Sequence, residues 1–400
     1  MIPSHVPPEL VKDCPVADRK VYFDDVFATR LTQVHAETPP VYWCPNIYPD
    51  GTGSWVVRRV ADLKDVLADD ELFTARGFSG FARMIGEEWD VIPVELAGER
   101  HGKFRKVLNP VFTPQKMFAL DQQVRRRATE LIGAFEKRGS CEFVREFAIP
   151  FPASIFLDLF GLPQEELQQF LEWEYALLHT PDMAERIQGT LAVKAYLMDA
   201  IDKRRKNPTE DWISQALTYE IDGRPWSDDE VFGYCFNLYL GGLDTVTANI
   251  GLHIRHLAAH IDQQEELRTD PAKIVLAVEE MMRAYAAVTT FRTVTRDTEF
   301  KGVTMLAGDK VAISTSLSAR DPEAWEAPGK IRFDRRPNHL AFGSATHRCI
   351  GMHLARRELH VAIEELLKRL PTFRVDPDQQ VPFWLGSITQ VQKLPLVWNI

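Results

Sequence analysis

Apolar and charged residues alternate with a helical period through the middle of the chain. Between about residues 95 and 285, segments such as 120–135 and 165–178 place apolar residues three or four positions apart, with charges between them. This spacing is typical of helices that bury one face. Residues 231–259 are apolar along almost their whole length and predict a central, largely buried helix. A further helix is predicted for about 352–370, after a Pro-rich loop at 321–339.

A different pattern flanks this helical region. Residues 40–43, 54–60, 290–294, 303–306 and 310–314 are short segments that predict strands, with Gly308 and Asp309 as a hairpin turn. We therefore expect a mainly α fold with a small β region. Its β-rich parts lie near 35–65 and 288–320, together with a C-terminal hairpin, and its helical part covers roughly 95–285 and 350–370.

Composition limits the architecture and the partners. The length alone suggests two or three domains, but 45% hydrophobic residues without a Gly/Ser linker or internal repeat predict one domain over 1–400. The net charge of −10 argues against nucleic acid as the main partner. The N-terminus has no basic segment followed by an apolar run, and no apolar run reaches the roughly 18 residues of a membrane span. We expect a cytoplasmic monomer.

The five cysteines are scattered and include no C-x-x-C pair, which argues against a disulfide framework or a cysteine-rich zinc site. Cys349 differs from the other four in its surroundings, because small, flexible residues precede it and a predicted helix follows it. The helix N-terminus and the neighbouring His347 and Arg348 favour a thiolate, which a bound metal would complete. Cys349 is therefore a candidate metal ligand, and a buried cysteine in a helix-capping loop is the alternative.

The predicted central helix contains two glycines and an acid that its apolar pattern does not explain. Gly241 and Gly242 each cost roughly 1 kcal/mol relative to alanine in a helix, and they open a groove on its face. Thr245 is four residues after Gly241, so its hydroxyl can donate to that carbonyl. Asp244 is costly in such surroundings unless it is paired or functional. The segment indicates either a ligand groove or a glycine-rich contact between helices.

The residues around Cys349 resemble the cysteine-ligand loop of the cytochrome P450 family, the haem-thiolate monooxygenases. The pattern Phe-x-x-Gly-x-His/Arg-x-Cys-x-Gly is matched at Phe342, His347, Cys349 and Gly351, whereas Ala345 replaces a glycine. If that position needs a positive φ, alanine costs on the order of 1 kcal/mol. The resemblance runs in family order from residue 101 to the C-terminus. It implies the cytochrome P450 fold, with haem b between the long central helix and the cysteine loop, and Cys349 as the iron ligand.

The resemblance also implies roles within the central helix and around the haem. Asp244 and Thr245 resemble the family's acid–alcohol pair, which manages proton delivery to oxygen, and Gly241 lies in its oxygen-binding groove. The two haem propionates need cations or good donors. Four residues at family positions are implied as their partners: His101, Arg105, Arg292 and His347.

Glu280 and Arg283 resemble the family's Glu-x-x-Arg pair. Because the two residues share a helix face, an ordinary surface ion pair has the same spacing. In the family, an arginine from the loop before the cysteine joins the pair in a buried network behind the haem. Arg335 is the candidate here, with Arg336 as the alternative because the intervening stretch is short.

The bacterial camphor hydroxylase branch is the most similar part of the family, on residues 241–246 and 394–398. Trp89 falls where the camphor enzyme has a tyrosine that holds the substrate ketone, and Gly80 replaces a pocket phenylalanine. We therefore expect a reshaped pocket for a monoterpenoid or a norisoprenoid such as ionone, while a core position for Trp89 fits the sequence equally well. The expected pocket residues are Trp89, Leu240, Val288, Ser387 and Ile388.

Electrons must come from a partner, because no segment resembles a flavin- or nicotinamide-binding motif. The resemblance implies a 2Fe–2S ferredoxin with an NAD(P)H-dependent reductase, besides O2 and a small apolar substrate. The ferredoxin would dock on the cysteine side, on a basic patch of Arg100, Lys103, Lys106 and Arg348. The alternatives are camphor hydroxylase itself, a peroxide-using hydroxylase, and a non-catalytic haem-thiolate ligand-binding protein. The intact acid–alcohol pair favours the O2 route over peroxide.

Overall fold

The computed structural model of the protein describes residues 2–400. Its longest helix runs from Asp228 to Ala259 through the centre of the molecule, and most of its side chains are buried. Ser227 begins this helix with a capping box, since its side chain accepts from the Glu230 amide while the Glu230 carboxylate accepts from the Ser227 amide. Three acidic residues in the first turn complement the positive end of the helix dipole. The predicted central helix is confirmed, and it starts three residues earlier than the apolar pattern alone indicates.

The helices and strands occur in three groups along the chain: mixed elements, then helices, then mainly strands. The helices are α1 Arg30–Glu37, α2 Val60–Ala68, α3 Phe81–Met84, α4 Gly98–Leu108, α5 Pro114–Ala119, α6 Asp121–Gly133, α7 Pro150–Leu159, α8 Leu167–Leu178, α9 Met183–Lys206, α10 Trp212–Ala216, α11 Asp228–Ala259, α12 Ile261–Thr269, α13 Ile274–Ala284, α14 Thr315–Ser318 and α15 Met352–Arg369. The strands are β1 Lys20–Tyr22, β2 Val41–Cys44, β3 Ser54–Val57, β4 Phe73–Thr74, β5 Ser140–Glu142, β6 Glu220–Ile221, β7 Arg224–Pro225, β8 Thr289–Val294, β9 Thr298–Phe300, β10 Val303–Met305, β11 Lys310–Ser314, β12 Phe373–Val375, β13 Phe383–Leu385, β14 Gln390–Val391 and β15 Pro395–Trp398.

The helical layer is built around α11. This helix packs against α7, α9 and α15, and α15 packs in turn against α6 and α13. One large apolar core joins these helices. The helix that follows the cysteine loop is therefore held directly against the central helix, and this contact fixes the distance between the two walls of the site.

The main sheet has the strand order β2-β3-β11-β8-β4. Strands β3 and β11 run parallel, with Val311 opposite Trp55, and the other neighbours are antiparallel. A second, smaller core lies against this sheet and includes Trp43, Trp55 and Val57. Strand β8 carries Arg292 into the interior, next to the helical layer.

The predicted mainly α fold with a small β region is confirmed, and the differences lie at element boundaries and in the short strands β5, β6 and β7 within the region predicted as helical. The strand expected at 54–60 stops at Val57, because Val60 begins α2 and its amide donates to Asp321 Oδ2 at 2.8 Å. Strand β5 lies within the region predicted as helical. It is three residues long and pairs with β15, a partner far along the chain that local sequence cannot indicate. Among residues 2–400, no helix has the combination of length and apolar character required to cross a membrane.

Candidate functional site

The loop before α15 presents Cys349 at the start of that helix. The Cys349 amide donates to the Phe342 carbonyl at 2.8 Å, which closes the loop, and Gly351 is the N-cap of α15. Ala345 has φ +55°, and Gly343 has φ +68°. The position where a family glycine is replaced therefore does require the left-handed region, and Ala345 adopts it at a cost of about 1 kcal/mol.

The Cys349 thiol faces an internal cavity, where it contributes exposed surface to the wall. Burial by the surrounding protein raises its pKa, and the Gly351 amide and the guanidinium groups of Arg105, Arg356 and Arg348 lower it by less. The expectation that the helix N-terminus and the nearby cations favour a thiolate is therefore outweighed by burial. A bound metal is what deprotonates a thiol in such surroundings.

The cavity lies between the cysteine loop and α11 and has a volume of about 1070 Å³. Its wall includes Cys349 on one side and Gly241, Gly242 and Thr245 on the other. A Cβ atom added at Gly241 or Gly242 would meet no atom within 4 Å, so neither glycine serves a close contact between helices. The glycines open space toward the cavity, as a ligand groove requires.

The Thr245 side chain is turned back onto its own helix. Its Oγ1 donates to the Gly241 carbonyl at 2.7 Å, and Asn249 Nδ2 donates to the Thr245 carbonyl at 2.7 Å. These side-chain bonds compete with the regular backbone ladder beside the two glycines. The hydrogen bond predicted from the spacing of four residues is therefore present, and it holds the Thr245 hydroxyl at the groove.

Asp244 is buried and has an ion-pair partner that the sequence did not indicate. His179, in the loop after α8, places Nε2 at 3.3 Å from Asp244 Oδ1 and at 3.5 Å from Glu174 Oε1. The only sequence signal was a histidine at the end of a predicted helix. Its position beside Asp244 follows from the packing of α8 and α9 on the central helix.

Two histidines stack at one edge of the cavity. The rings of His101 and His347 have centroids 4.0 Å apart and an angle of 21° between planes, and His347 Nε2 is 3.0 Å from Asp70 Oδ1. Burial and the charge of His347 lower the pKa of His101 to about 4. His101 Nε2 is buried and has no hydrogen-bond partner within residues 2–400.

Two arginines join the histidines at the cavity wall. Arg105 donates to the Arg348 carbonyl at 2.7 Å, and burial lowers the pKa of its guanidinium. Arg292 donates through Nη1 to the carbonyl of Phe291 at 2.9 Å, and burial lowers its pKa to about 10. The four residues expected to face the propionates thus meet at one end of the cavity.

A buried network lies behind the cysteine loop. Glu280 Oε1 accepts from Arg283 Nη2 at 2.6 Å and from Arg335 Nε at 3.1 Å, and both side chains of the Glu280–Arg283 pair are 0% exposed. Arg335, rather than Arg336, is the third member. Arg283 also donates to backbone carbonyls of the loop after α14, which ties that loop to α13.

Four of the five expected pocket residues line the cavity: Leu240, Val288, Ser387 and Ile388. Within residues 2–400, Trp89 is not part of the cavity wall. Its indole packs edge-on against Phe232 and Phe236, and its Nε1 donates to Glu87 Oε2 at 2.8 Å. The core position, left open by the sequence, is the one that the structure adopts. The wall includes Phe78, Phe81 and Val91 from the same stretch of chain, none of which was predicted.

The residues at this cavity fit a haem. Cys349 offers a soft sulfur ligand on one face. The buried, unpartnered Nε2 of His101 suits a carboxylate, and so does the guanidinium of Arg292, which donates to the Phe291 carbonyl. The groove at Gly241 and Gly242 leaves room above a flat ring. A cysteine loop that faces a glycine-containing central helix across an apolar cavity, in a mainly helical fold, defines the class of haem-thiolate proteins.

The comparisons with known proteins agree with this class. The family model described as cytochrome P450 matches residues 20–395. The chain belongs to the cytochrome P450 family, as its resemblance predicted. It is accordingly a haem-dependent monooxygenase, and its cofactor is haem b.

Several relatives align over most of the chain. A protein described as probable cytochrome P450 127A1, from Sinorhizobium fredii (strain NBRC 101917 / NGR234), is 36% identical over 403 residues, covering 99% of this chain and 97% of the relative. The steroid C26-monooxygenase of Mycolicibacterium smegmatis (strain ATCC 700084 / mc(2)155) is 33% identical over 76% of this chain and 79% of its own. The crystal structure of cytochrome P450 CYP101C1 superposes with a TM-score of 0.89 at 33% identity, with 100% of both chains covered.

Proposed function

We propose that this enzyme uses O2 to hydroxylate a small, apolar, terpenoid-type substrate, with electrons from a 2Fe–2S ferredoxin and its NAD(P)H-dependent reductase. The observation that carries the proposal is that Cys349 and Thr245 lie on opposite walls of one cavity. Haem bound between them supplies oxygen activation and insertion into a C–H bond. The protein supplies the ligand, the anchoring cations, the proton path and the apolar pocket.

Cys349 is the proposed iron ligand. The loop geometry favours this role, because the hydrogen bond from its amide to Phe342 and the start of α15 fix the direction of the thiol. The other proposed contacts hold the propionates and the ring, and they involve His101, Arg105, Arg292, His347, Phe342, Gly351 and Gly241. A carboxylate beside His101 would raise the pKa of that imidazole from its lowered value, because an opposite charge favours the cation.

Asp244 and Thr245 are the proposed catalytic residues. The Thr245 hydroxyl, held by the Gly241 carbonyl, stands at the groove where a small ligand fits. Asp244 lines the same cavity and is paired with His179, so it can exchange a proton without opening the site to bulk water. We propose that Asp244 delivers protons to O2 bound in the cavity. We propose that the Thr245 hydroxyl positions each proton for this transfer.

The size of the cavity supports a small substrate. Pockets for a single drug-sized ligand measure roughly 300–1,000 Å³. A cavity of about 1070 Å³ that takes both a porphyrin and a substrate therefore leaves space for a compact molecule. Apolar side chains such as Leu240, Val288 and Ile388 face this space. A monoterpenoid or norisoprenoid is the substrate that we propose, and camphor remains the alternative within the same class.

Fewer basic residues are available to a ferredoxin than the sequence indicated. Arg100 pairs with Asp90 at 2.5 Å, and Lys103 pairs with Asp222 at 2.9 Å. These ion pairs reduce the charge available to an acidic partner. Lys106 and Arg348 are exposed on the cysteine side and are the residues proposed for docking. We further propose that the enzyme works in the cytoplasm, where such electron donors are reduced.

Carbon monoxide binding tests the haem-thiolate site. The reduced protein with carbon monoxide should show the absorption band diagnostic of thiolate ligation, and Cys349→His should remove it. A histidine-type band in the unaltered protein would refute Cys349 as the ligand. Substrates are then screened by the low- to high-spin shift, with cineole, camphor and ionones as test compounds and a steroid as control.

Turnover separates the enzyme from a ligand-binding protein. NADH consumption with a reconstituted ferredoxin system should match the hydroxylated product. Product formed only with hydrogen peroxide would favour the peroxide route, and a spin shift without product would favour a carrier.

A further inference from the structure

His179 lies between two carboxylates beside the proposed oxygen site. Its Nε2 is within 3.3 Å of Asp244 and 3.5 Å of Glu174, and the nearest polar atoms of all three groups lie within 4.8 Å of one another. Asp244 is 4% exposed and Glu174 is 9% exposed. Two ionised carboxylates buried this close carry a large energetic cost, which a single cation offsets only in part. The proton delivery described above uses Asp244 and its pairing with His179, and it leaves Glu174 without a role.

The surroundings keep His179 charged and favour a proton on Glu174. Burial lowers the pKa of His179, but the hydrogen bonds with Asp244 and Glu174 outweigh it and raise that pKa to about 10. His179 also follows the last residue of α8, where the helix dipole favours a cation. Burial raises the pKa of Glu174, as does the charge of Asp244, while the bond to His179 lowers it by less.

The other polar groups packed around the cluster are engaged elsewhere. Tyr239 of α11 and Arg186 of α9 each donate to a backbone carbonyl of α8, at 2.6 and 3.3 Å. Glu185 of α9 accepts from Thr180 Oγ1 at 2.6 Å, which fixes the loop that holds His179. Three groups thus share the protons of this cluster: Glu174, His179 and Asp244.

We propose that Glu174 stores a proton for Asp244 and that His179 passes it between them, an inference that rests on the proposed O2-dependent function. At rest Asp244 is ionised, so before it delivers a proton His179 Nε2 donates its own proton to Asp244 Oδ1. Glu174 then protonates Nε2. One proton moves from Glu174 to Asp244, and His179 ends as the same cation. Because that cation pairs with whichever carboxylate is ionised, neither state leaves an unpaired buried charge.

The store can be refilled from solvent through His179. The His179 side chain is 22% exposed, against 4% for Asp244, so the imidazole is the more accessible of the two groups to a proton from outside the cluster. Glu174 and His179 act through Asp244 and are positioning residues. A purely structural ion pair between α8 and α11 would predict effects on stability alone.

Turnover of the haem-bound enzyme with its ferredoxin system tests the transfer. In Glu174→Gln, product per NADH should fall by about tenfold, with hydrogen peroxide formed instead, and the solvent isotope effect in D2O should rise. Glu172→Gln, on an exposed position of the same helix, is the matched control and should behave as the unaltered enzyme. An unchanged product yield and isotope effect in Glu174→Gln between pH 6 and 9 would overturn the proposal.

Infrared spectra of the full-length haem-bound protein test the store without turnover. Between pH 5 and 8 we expect the C=O band of a neutral carboxyl that Glu174→Gln removes and Glu172→Gln retains. Glu358, whose pKa burial also raises well above the usual range, supplies a second such band that both variants keep. If Glu174→Gln removes no band, the proposal is wrong. A wrong assignment of the function would give a different result. The unaltered protein would then form no hydroxylated product, while the infrared band of Glu174 would still be present.

Discussion

Replacing Glu280 with glutamine should strongly destabilise the protein without touching the cavity. Both oxygens of Glu280 accept from arginines: Oε1 from Arg283 and Arg335, and Oε2 from Arg283 Nε at 3.2 Å. A glutamine amide would turn an N–H donor toward one of these donors, and it would leave the 0% exposed Arg283 charge without its carboxylate. Breaking a buried pair in this way costs roughly 3–5 kcal/mol.

Urea unfolding of the haem-bound protein at neutral pH, followed by circular dichroism, measures this loss. Glu266→Gln is the control, because Glu266 pairs with Lys273 at 2.6 Å while both side chains are 40% exposed or more. Such an exposed pair contributes at most about 1 kcal/mol. If Glu280→Gln costs no more than the control, the buried network does not stabilise the fold as argued. Loss of haem at a lower urea concentration should accompany the larger effect, since Arg335 anchors the segment that precedes the cysteine loop.

Three further perturbations address single residues. Ala345→Gly should raise the unfolding free energy by up to about 1 kcal/mol, because glycine relieves the left-handed strain; a lower thermal midpoint would contradict this. His253 is fully buried, and burial lowers its pKa to about 3. Below pH 6.5 the unfolded chain binds a proton at this histidine and the folded protein does not, so the unfolding free energy should fall by about 2 kcal/mol by pH 5. Urea unfolding of His253→Leu should lack this pH-dependent loss. Thr245→Ala should lower product per NADH by roughly tenfold and raise hydrogen peroxide. This loss should be smaller than the loss on removing the Asp244 carboxylate, because Asp244 still delivers the proton.

Helical periodicity and short apolar runs were enough to predict the fold class and most elements. The central helix and α15 are amphipathic or apolar over many turns, so their positions depend on local sequence. Strand β5 and the end of β3 depend on partners distant in the chain, which periodicity does not report. Boundaries therefore shifted where capping or pairing overrides the pattern, as at Val60.

The site was predictable where a residue's role follows from backbone spacing. The hydroxyl of Thr245 reaches the Gly241 carbonyl because four residues make one helical turn, and this follows from sequence alone. The orientation of Trp89 does not, because Glu87 and two phenylalanines from α11 decide it. The contact between His179 and Asp244 likewise requires the packing of three helices.

The cations around the cavity connect haem binding to stability. His101 is kept neutral by burial, with Nε2 unpartnered, and burial also lowers the pKa of Arg292. Both side chains are costly where they lie, and the protein offers only the Phe291 carbonyl to Arg292 and no partner to His101 Nε2. Propionates beside them would restore a charged imidazole and a paired guanidinium. A ligand that binds only the folded chain stabilises it in proportion to its affinity. The residues that anchor the haem are therefore the ones through which haem binding stabilises this side of the fold.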